Sequence, residues 1–225
     1  MTLEDHILYI DGDAIVIDKP HGLPVDPPRA GGMSIASRID ELMLGFKRPP
    51  TPMHRLDQDT SGCLLFARNH RARAELQQAF EGGAVEKTYL AILGGELDGD
   101  DGMIDLALGK VSTAEAGWRM VGDAAKELGS KSAQTRWRKV AVRDGKTLVE
   151  FQPLTGRTHQ IRVHAREGLG LGIVGDRVYG FPGGEMMLHA SRLKLPRTGK
   201  SDIDVTAPLP ERFGAWDLES TGDVA

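Results

Sequence analysis

Residues 132–154, SAQTRWRKVAVRDGKTLVEFQPL, constrain the fold of this 225-residue chain more than any other segment. Two runs of alternating apolar and polar residues flank Asp144-Gly145, a dipeptide that favours the type I′ turn of a two-residue loop. Alternation with a period of two is typical of β-strands. The segment therefore predicts an antiparallel β-hairpin.

Short strand patterns recur along the rest of the chain. ILYIDGDAIVIDKP predicts two strands around an Asp-Gly turn. Further strands are predicted in GCLLFARN (62–69), AVEKTYLAILGGE (84–96), GIVGDRVYG (172–180), EMMLHASRLKLP (185–196) and DIDVTAPLP (202–210), whereas the stretch that ends near residue 130 is only weakly patterned.

Helical spacing is confined to three segments. These are 33–46 with Ser34 as a cap, 69–83 with Asn69 as the N-cap and Gly82 as the end, and 156–168 ended by Gly168. Strands outnumber helices and no serial βαβ alternation is present. The sequence therefore predicts an α+β domain on a mixed, mostly antiparallel sheet with flanking helices.

Composition limits the compartment and the kinds of site. Cys63 is the only cysteine, so an internal disulfide and a thiolate zinc site are excluded. The N-terminal MTLEDHILYIDGD is acidic and unlike a signal peptide, and no apolar run approaches the ~20 residues that cross a bilayer. We expect a soluble, cytoplasmic protein with no membrane partner.

The charges are distributed unevenly. The net charge of −4 by itself argues against a nucleic-acid partner, but residues 131–166 hold nine Lys or Arg against two acids, and residues 47–73 hold six against two. Acids are concentrated in residues 1–26 and in GELDGDDGMID (95–105). A local basic face is enough to bind a polyanion, so we expect the two basic segments to contact phosphates and the acidic ends of the chain to face away.

HRLDQDTSG, residues 54–62, is too polar for the core, since only Leu56 is clearly apolar. It follows the Pro-rich KRPPTP and ends in Ser-Gly, residue types that are typical of turns. Asp57 therefore has two interpretations. It is either a hydrogen-bond acceptor for its own backbone or an activated carboxylate held in a cleft.

TGRTHQIRVH, residues 155–164, carries Arg157, His159, Arg162 and His164, which are too polar for a core helix. At the start of a helix, the guanidinium of Arg157 could project toward a cleft and keep a carboxylate there ionised and oriented. Zinc binding is the competing interpretation. However, the two histidines are five residues apart rather than four and no Glu lies between them, so we expect no metal.

EKTYLAIL, residues 86–93, places Lys87 and Tyr89 in a predicted strand. A strand tyrosine is ordinarily part of the core. Beside a nucleic-acid cleft, its ring could instead stack on an extruded base.

DQDTS, residues 57–61, also approximates the DxDx(T/V) motif of aspartyl-phosphate phosphotransferases, with Asp57 as nucleophile. That motif follows a buried apolar strand, whereas TPMHRL (51–56) is interrupted by Pro and charge. Its fifth position is Ser61 here, and the Rossmann-like alternation is absent. These departures argue against that class.

Together the clusters resemble the RluA-type pseudouridine synthases. The matching motifs are HRLDxxTSG at 54–62, KxY at 87–89, TGRxHQIRxH at 155–164, KPxGxxVxP at 19–27, IVGDRVYG at 173–180 and LHASRL at 188–193. They follow the family's order over nearly the whole chain, so we expect one catalytic domain over residues 1–225 with a core of about 7–213. The resemblance implies the pseudouridine synthase fold with an RNA-binding cleft, and isomerisation of uridine to pseudouridine in structured RNA without metal or cofactor.

The resemblance also implies roles for individual residues. Asp57 would be the catalytic aspartate, Arg157 its ion-pair partner and Tyr89 the ring that stacks on the target base. Arg55 would enter the RNA stem where the uridine leaves, and Ile161 would form an apolar wall of the uracil pocket. The complete set of implied RNA-binding positions is Arg55, His54, Thr60, Lys87, His159, Arg162, His164 and Ile161, of which His54 and Thr60 would shape the turn of the motif.

Two loop positions depart from the family pattern, because Gly172 stands where Pro is usual and Pro196-Arg197 stands where HP is usual. The S4 RNA-binding module of many relatives is not expected, because KPxG already begins at Lys19. The chain thus resembles the short, RluA-like subgroup. We expect ribosomal RNA, transfer RNA or both as partner, and a monomer.

The chemistry explains why an ionised Asp57 is needed. The uracil must leave C1′, turn and rejoin through C5, and the carboxylate could attack C1′ or C6 or take the 2′ proton. Charge in a cleft without water requires a cation such as Arg157. The alternative is a non-catalytic RNA-binding or RNA-chaperone protein on the same fold, which needs no buried carboxylate.

Overall fold

The computed structural model describes residues 2–113, 117–123, 128–214 and 216, so Met1 and the end of the predicted 1–225 domain lie outside the described residues. Its strands are β1 (Ile7–Ile10), β2 (Ala14–Lys19), β3 (Thr51–Pro52), β4 (Ser61–Ala67), β5 (Glu86–Leu93), β6 (Asp101–Asp105), β7 (Leu108–Thr113), β8 (Gly117–Gly122), β9 (Gln134–Arg143), β10 (Lys146–Pro153), β11 (Leu188–Leu195) and β12 (Ile203–Thr206). Its helices are α1 (His70–Glu81) and α2 (Gln160–Val163), with 3-10 turns at Glu4–His6, Ala36–Leu42 and Glu211–Phe213 and a π-helical turn at His164–Gly168.

The chain forms two compact units, which are described separately. The first unit contains Met1–Tyr89 and Ala190–Ala207, and the second contains Leu90–His189 and Pro208–Ala225. The chain passes from one unit to the other three times: within β5, within β11 and between Ala207 and Pro208. The single catalytic domain stays a prediction.

In the first unit, hydrogen-bonded strands follow the order β1-β2-β4-β11-β5, with β3 also on β4 and β12 on β11. The pairs β1–β2, β2–β4, β3–β4 and β11–β12 are antiparallel. Every residue of β4 is buried, as its apolar sequence predicts. Leu76 of α1 packs in one core cluster with residues of β2, β4, β11 and β12.

The helix predicted at 69–83 is confirmed as α1. The Asn69 side chain accepts the Ala72 N–H at 2.9 Å and Gly82 ends the helix. The helix predicted at 33–46 is instead the 3-10 turn Ala36–Leu42, in which Ser34 Oγ caps the Ser37 N–H. It cannot extend further because the next residues include Leu44 and Gly45 at positive φ.

The Asp-Gly turn between β1 and β2 is held by the Asp11 carboxylate. It accepts hydrogen bonds from the backbone N–H groups of Asp13 and Ala14, from Tyr9 Oη and from Arg197 Nη1, each at 2.8 Å. Burial by itself raises the pKa of Asp11, but these donors outweigh it and lower the pKa to about 2. The carboxylate therefore stabilises the fold in its ionised form.

We expect Asp11→Asn to lower the free energy of unfolding by about 2 kcal/mol at pH 7, since a pKa unit corresponds to about 1.4 kcal/mol. A lowered native pKa gives stability that is present above the unfolded pKa of about 4 and is lost as the pH falls toward about 2. Urea unfolding at pH 7, 4 and 2 measures this. The wild type and the variant should converge at pH 2, and a constant difference at all three values would contradict the assignment.

In the second unit, the strand order is β5-β10-β9-β6, and β7–β8 is a separate antiparallel hairpin. The hairpin predicted around Asp144-Gly145 is confirmed as β9–β10. Both turn residues have positive φ, 51° and 67°, as a type I′ turn requires. One register shift between Leu148 and Val149 marks a bulge in this pair.

Two parts of the second unit differ from the prediction. Strand β6 lies in the acidic segment 95–105, which has the composition of a loop, and β7 and β8 occupy the weakly patterned stretch that follows it. GIVGDRVYG makes only isolated bridges, because the chain folds back sharply there. A Cβ on Gly175 would lie 2.0 Å from the Glu185 carbonyl oxygen, and one on Gly180 would lie 2.0 Å from that of Ile173.

Candidate active site

Asp57 lies in a short turn between β3 and β4 in the first unit. The Thr60 N–H donates to the Asp57 carbonyl at 3.1 Å and closes the turn. Leu56 and Thr60 are both buried, whereas the Asp57 side chain is half-buried. The two anchoring side chains therefore hold the turn while its carboxylate stays within reach of solvent.

A buried lysine also fixes this turn through hydrogen bonds to backbone carbonyl groups. Lys19, at the end of β2, is fully buried, and its ammonium group donates to the carbonyls of Pro20 (2.7 Å), Leu23 (2.7 Å) and Gln58 (3.0 Å). Three carbonyl acceptors match the three donors of the ammonium group. Lys19 thus ties the residue after Asp57 to the loop that follows β2, a role that no local pattern around Asp57 indicates.

Only glycine fits at the last position of the HRLDQDTSG motif, for steric reasons. Gly62 has a φ of +107°, and a Cβ there would lie 2.2 Å from the carbonyl oxygen of Ala190 on β11. A side chain is therefore excluded both by the left-handed backbone and by the neighbouring strand. Because Gly62 is the second residue of β4, directly after the Asp57 turn, this close approach also fixes where the turn ends.

Tyr89 and Asp57 are close enough to interact electrostatically. Tyr89 is 9% exposed at the point where β5 leaves the first unit. Burial, and after it the negative charge of Asp57, raises the pKa of Tyr89 well above its usual range. The phenol therefore stays protonated and the ring stays neutral beside the carboxylate.

His54 and Lys87 lie together behind the turn. His54 Nε2 accepts the Leu65 N–H at 3.1 Å, and its ring is tilted against Phe80 at 5.4 Å between centroids. Burial, and after it the charge of Lys87, lowers the pKa of His54 to about 3, so the ring is neutral with its proton on Nδ1. Burial also lowers the pKa of Lys87.

Arg55 is the most accessible of the predicted RNA-binding residues in this unit. Its guanidinium forms an ion pair with Asp26 at 2.9 Å, and the two side chains are 76% and 51% exposed. Asp26 belongs to the Pro-rich loop after β2 and was not singled out from the sequence. Exposed pairs of this kind contribute about 0–1 kcal/mol, so the pair opens at low cost.

The second cluster is built around α2 in the second unit. Arg157 is exposed in the turn before the helix, where its Nε donates to the Ser132 carbonyl at 2.9 Å. Its backbone N–H donates to Gln160 Oε1 at 2.9 Å. The predicted ion pair between Arg157 and Asp57 stays a prediction.

Gln160 holds this turn in place through its side-chain amide. It is part of the TGRxHQIRxH motif, but the sequence indicated no separate role for it. Its buried amide oxygen accepts from Arg157 and from Thr155 Oγ1, and its amide nitrogen donates to Gln134 O and to Thr135 Oγ1. All four hydrogen-bonding positions of the amide are filled. The residue therefore sets the backbone position of Arg157 relative to β9.

Arg162 is buried and bonded within the second unit, and its predicted contact with RNA stays a prediction. It forms a two-point ion pair with Asp176 at 2.7 and 2.8 Å, with side chains that are 10% and 0% exposed. Asp176 Oδ1 also accepts the N–H groups of Val178 and Tyr179. Burial by itself raises the pKa of Asp176, but Arg162 and these amides outweigh it and lower the pKa.

His164 is likewise committed to the protein interior. It is fully buried, with Nδ1 2.8 Å from Thr135 Oγ1 and Nε2 3.0 Å from the Leu106 carbonyl. Burial lowers its pKa, which favours the neutral ring. Because a carbonyl can only accept, the proton lies on Nε2, and no ring nitrogen is left for RNA.

His159 and Ile161 occupy the start of α2. His159 has a left-handed φ of 54°, lies 2.8 Å from Tyr179 Oη through Nδ1 and stacks on Trp118 at 5.3 Å. Ile161 is buried within the helix. The predicted site residues thus fall into two groups: Asp57, Tyr89, His54, Lys87, Arg55 and Thr60 in the first unit, and Arg157, His159, Ile161, Arg162 and His164 in the second.

Acidic and basic segments lie side by side in the second unit, and the expectation that the acidic ends face away from RNA stays a prediction. Acidic strand β6 pairs directly with basic strand β9, with Asp101 opposite Arg138 in the register. Lys139 forms an ion pair with Asp100 at 2.9 Å, and Arg138 forms one with Glu150 at 3.3 Å. Part of the positive charge counted in residues 131–166 is therefore neutralised within the second unit.

Among the described residues, no three His, Cys, Asp or Glu side chains are grouped so that they could hold a metal ion. Within the same ranges, no helix is long and apolar enough to span a bilayer.

Comparison with known proteins decides the family. The profile of the RNA pseudouridylate synthase family matches residues 13–167. The chain belongs to this family. It is 48% identical over 94% of its length to an uncharacterized RNA pseudouridine synthase of Zymomonas mobilis, covering 96% of that protein. It is 37% identical over 84% of its length to the dual-specificity RNA pseudouridine synthase RluA of Yersinia pestis, covering 87% of it.

A solved structure supports the same conclusion. Human RNA pseudouridylate synthase domain containing 4 superimposes with a TM-score of 0.79 at 27% identity, over 94% of this chain and 91% of that one. The predicted RluA-type family and α+β fold are confirmed, and the protein is an RNA pseudouridine synthase, an isomerase that acts on RNA.

The structure explains both departures from the pseudouridine synthase pattern. A Cβ on Gly172 would lie 2.5 Å from Gly180 Cα, so the proline that is usual there would collide with the backbone of this enzyme. Arg197 donates to Asp11 at 2.8 Å and to Tyr9 Oη at 2.9 Å. Arg197, in the connection between β11 and β12, therefore binds that connection to the turn between β1 and β2.

Proposed function

We propose that this enzyme isomerises a uridine in a stem-loop of ribosomal RNA, transfer RNA or both, with Asp57 as the catalytic aspartate and without metal or cofactor. The supporting observation is the setting of Asp57. Its half-buried carboxylate lies on a turn fixed by Lys19, Thr60 and Gly62, and its charge acts on Tyr89. Such fixation is what a carboxylate aimed at one atom requires.

In the reaction, the N1–C1′ bond of uridine breaks, a C5–C1′ bond forms, the C5 hydrogen leaves as a proton and N1 takes up a proton, so that the product is an isomer of the substrate. Asp57 acts by attack on C1′ or C6, or as a base on the 2′ proton. Each route needs the carboxylate to be ionised when the base is in place. The base must also be held while it turns, so that it does not escape between the two bonds.

Tyr89 and Arg55 serve the extrusion of the base. Flipping a uridine out of its stack costs a few kcal/mol, and stacking on an aromatic ring returns about 1–3 kcal/mol. The neutral ring of Tyr89 provides the stacking surface. Arg55 leaves its exposed pair with Asp26 and enters the stem at the vacated position.

The remaining predicted residues divide by burial. Arg157 compensates the charge of Asp57, Ile161 forms an apolar wall for uracil, and Lys87 and His159 contact RNA, as the family resemblance implies. His54 and Thr60 shape the turn. Arg162 and His164 hold α2 and the turn after it in place, because their polar atoms form hydrogen bonds inside the protein.

We expect Arg157→Ala to lower turnover at saturating RNA by about 10²-fold while changing the RNA dissociation constant by less than about threefold. Loss of one preorganised electrostatic contact in an active site typically has that effect on the rate. Tritium release from RNA that contains 5-tritiated uridine gives the turnover, and filter binding gives the affinity. Arg166→Ala, an exposed arginine nearby, is the matched control. Equal losses of turnover and affinity in Arg157→Ala would make Arg157 a phosphate contact instead.

The RNA substrate is tested by mapping pseudouridines in total RNA from cells with and without the gene. We expect the loss of one site or a few sites, each in the loop of a ribosomal or transfer RNA hairpin. Unchanged maps of both RNA classes would refute the proposed substrate. We further propose that the enzyme acts as a cytoplasmic monomer, which light scattering of the purified protein tests.

A further inference from the structure

The first unit contains a cavity of about 350 Å³ away from the Asp57 turn. It lies between the segment that precedes β3 and the start of α1. Five basic side chains line it and no acidic one does; the lining residues that matter are Lys47, Arg48, Arg68, His70 and Arg73. A concave surface with one sign of charge concentrates anions.

Three cations of this cavity are not matched by a carboxylate of any described residue. Within the described ranges, Lys47, Arg48 and Arg73 form no ion pair through their side chains. On β9, by contrast, Arg138 and Lys139 are matched with Glu150 and Asp100. The free energy of leaving three cations close together is unfavourable, and a bound anion would relieve it.

The floor of the cavity is a buried arginine. Arg68 is 9% exposed, its guanidinium lies 3.9 Å from the centroid of the Phe46 ring, and it donates to the carbonyls of Asp11 (2.6 Å) and Leu44 (3.2 Å). Its Nε has no hydrogen-bond partner in the part of the chain that the structure describes. The guanidinium is thus held rigidly by neutral carbonyl acceptors. The charge of Asp11 also acts on it, but no carboxylate of a described residue accepts a hydrogen bond from it, so it still adds positive charge to the cavity.

The first turn of α1 adds a further attraction for anions. Asn69 and His70 line the cavity, and the Asn69 side chain is already used by the Ala72 N–H. The N–H groups that precede Ala72 in a helix have no acceptor within that helix. Because Asn69 and His70 line the cavity, the N-terminal end of α1, which carries the positive end of the helix dipole, borders it.

From these observations we infer that this basic cavity binds a backbone phosphate of the RNA substrate, at a point remote from the uridine that reacts. The cavity would supply affinity without touching the reacting atoms. Identifying the anion as an RNA phosphate rests on the proposed function; the anion site itself does not.

The test compares Lys47→Gln/Arg48→Gln/Arg73→Gln with the control Arg71→Gln. Arg71 is on the same helix but is paired with Glu75 outside the cavity. Binding of a fluorescent uridine-containing RNA hairpin is measured from 50 to 300 mM KCl. We expect the triple variant to bind about tenfold or more weakly at 100 mM KCl, with a salt slope smaller by about 0.7–0.9, since that is what one lost phosphate contact removes from it. Tritium release at saturating RNA should be unchanged.

Each outcome decides between explanations. A triple variant that matches the Arg71→Gln control in affinity and salt slope overturns the inference. Competition with inorganic phosphate and with adenosine monophosphate separates the anion sources: if the substitutions abolish their binding but leave RNA binding intact, the site takes a free anion and the RNA assignment is wrong. If the wild type binds the hairpin through the cavity but modifies no RNA, the proposed function fails while the phosphate site stands.

Discussion

Asp57→Asn should abolish pseudouridine formation and leave RNA binding intact. The amide keeps the shape of the side chain but carries no charge, so it can neither attack C1′ or C6 nor take the 2′ proton. Removal of a group that acts directly on the reacting atoms lowers turnover by at least about 10³-fold. Tritium release from RNA that contains 5-tritiated uridine measures the rate, and filter binding at fixed salt measures the affinity.

Asp59→Asn is the matched control for this experiment, because Asp59 is a half-buried carboxylate two residues away on the same turn. It should keep wild-type turnover to within a few fold. Full turnover by Asp57→Asn would refute the proposed mechanism. A wild-type protein that binds RNA but never releases tritium would favour the RNA-chaperone alternative.

Asp176→Ala should destabilise the fold by about 3–5 kcal/mol, because it leaves the buried charge of Arg162 without its partner. The backbone N–H groups of Val178 and Tyr179 lose their acceptor as well. For a chain of this length, each kcal/mol lowers Tm by about 2–4 °C, so a decrease of about 10 °C is expected. Urea unfolding and thermal melts at pH 7 provide the measurement.

Asp204→Ala is the matched control, because it removes an ion pair of the same geometry that is exposed to solvent rather than buried. Asp204 forms an equivalent two-point pair with Arg192, at 2.7 and 2.6 Å, but the side chains are 51% and 40% exposed. Exposed pairs contribute about 0–1 kcal/mol, so this variant should be nearly neutral. If Asp176→Ala is too unstable to purify, Asp176→Asn, which keeps one acceptor, gives an intermediate value. Equal effects of Asp176→Ala and Asp204→Ala would show that burial does not set the strength of these pairs.

Elements defined by local interactions were predictable from the sequence. The Asp144-Gly145 turn, the Asn69 cap of α1 and the apolar strand β4 each follow from the preferences of a few adjacent residues. Strands β6 to β8 were not predicted. Their residues are largely exposed, so the apolar alternation that marks a half-buried strand is weak there.

The reverse error occurred at GIVGDRVYG, where a strand-like composition does not form a strand. Gly175 and Gly180 let the chain approach other backbone segments to distances that a side chain would prevent. The 3-10 turn at Ala36–Leu42 is a similar case: apolar residues at helical spacing are present, but the backbone at Leu44 and Gly45 prevents a longer helix.

The sequence by itself determined the family, the motif residues Asp57, Tyr89 and Arg157, and the hairpin architecture, because these depend on residue types and on short-range order. Only the tertiary structure decided which polar side chains hold the fold and which remain available. Lys19, Gln160 and Asp176 were not assigned roles from the sequence, whereas Arg162 and His164 were expected to contact RNA and are buried. The physical reason is that the cost of burying a polar group depends on partners distant in sequence, as with Arg162 and Asp176, and residue type alone does not specify them.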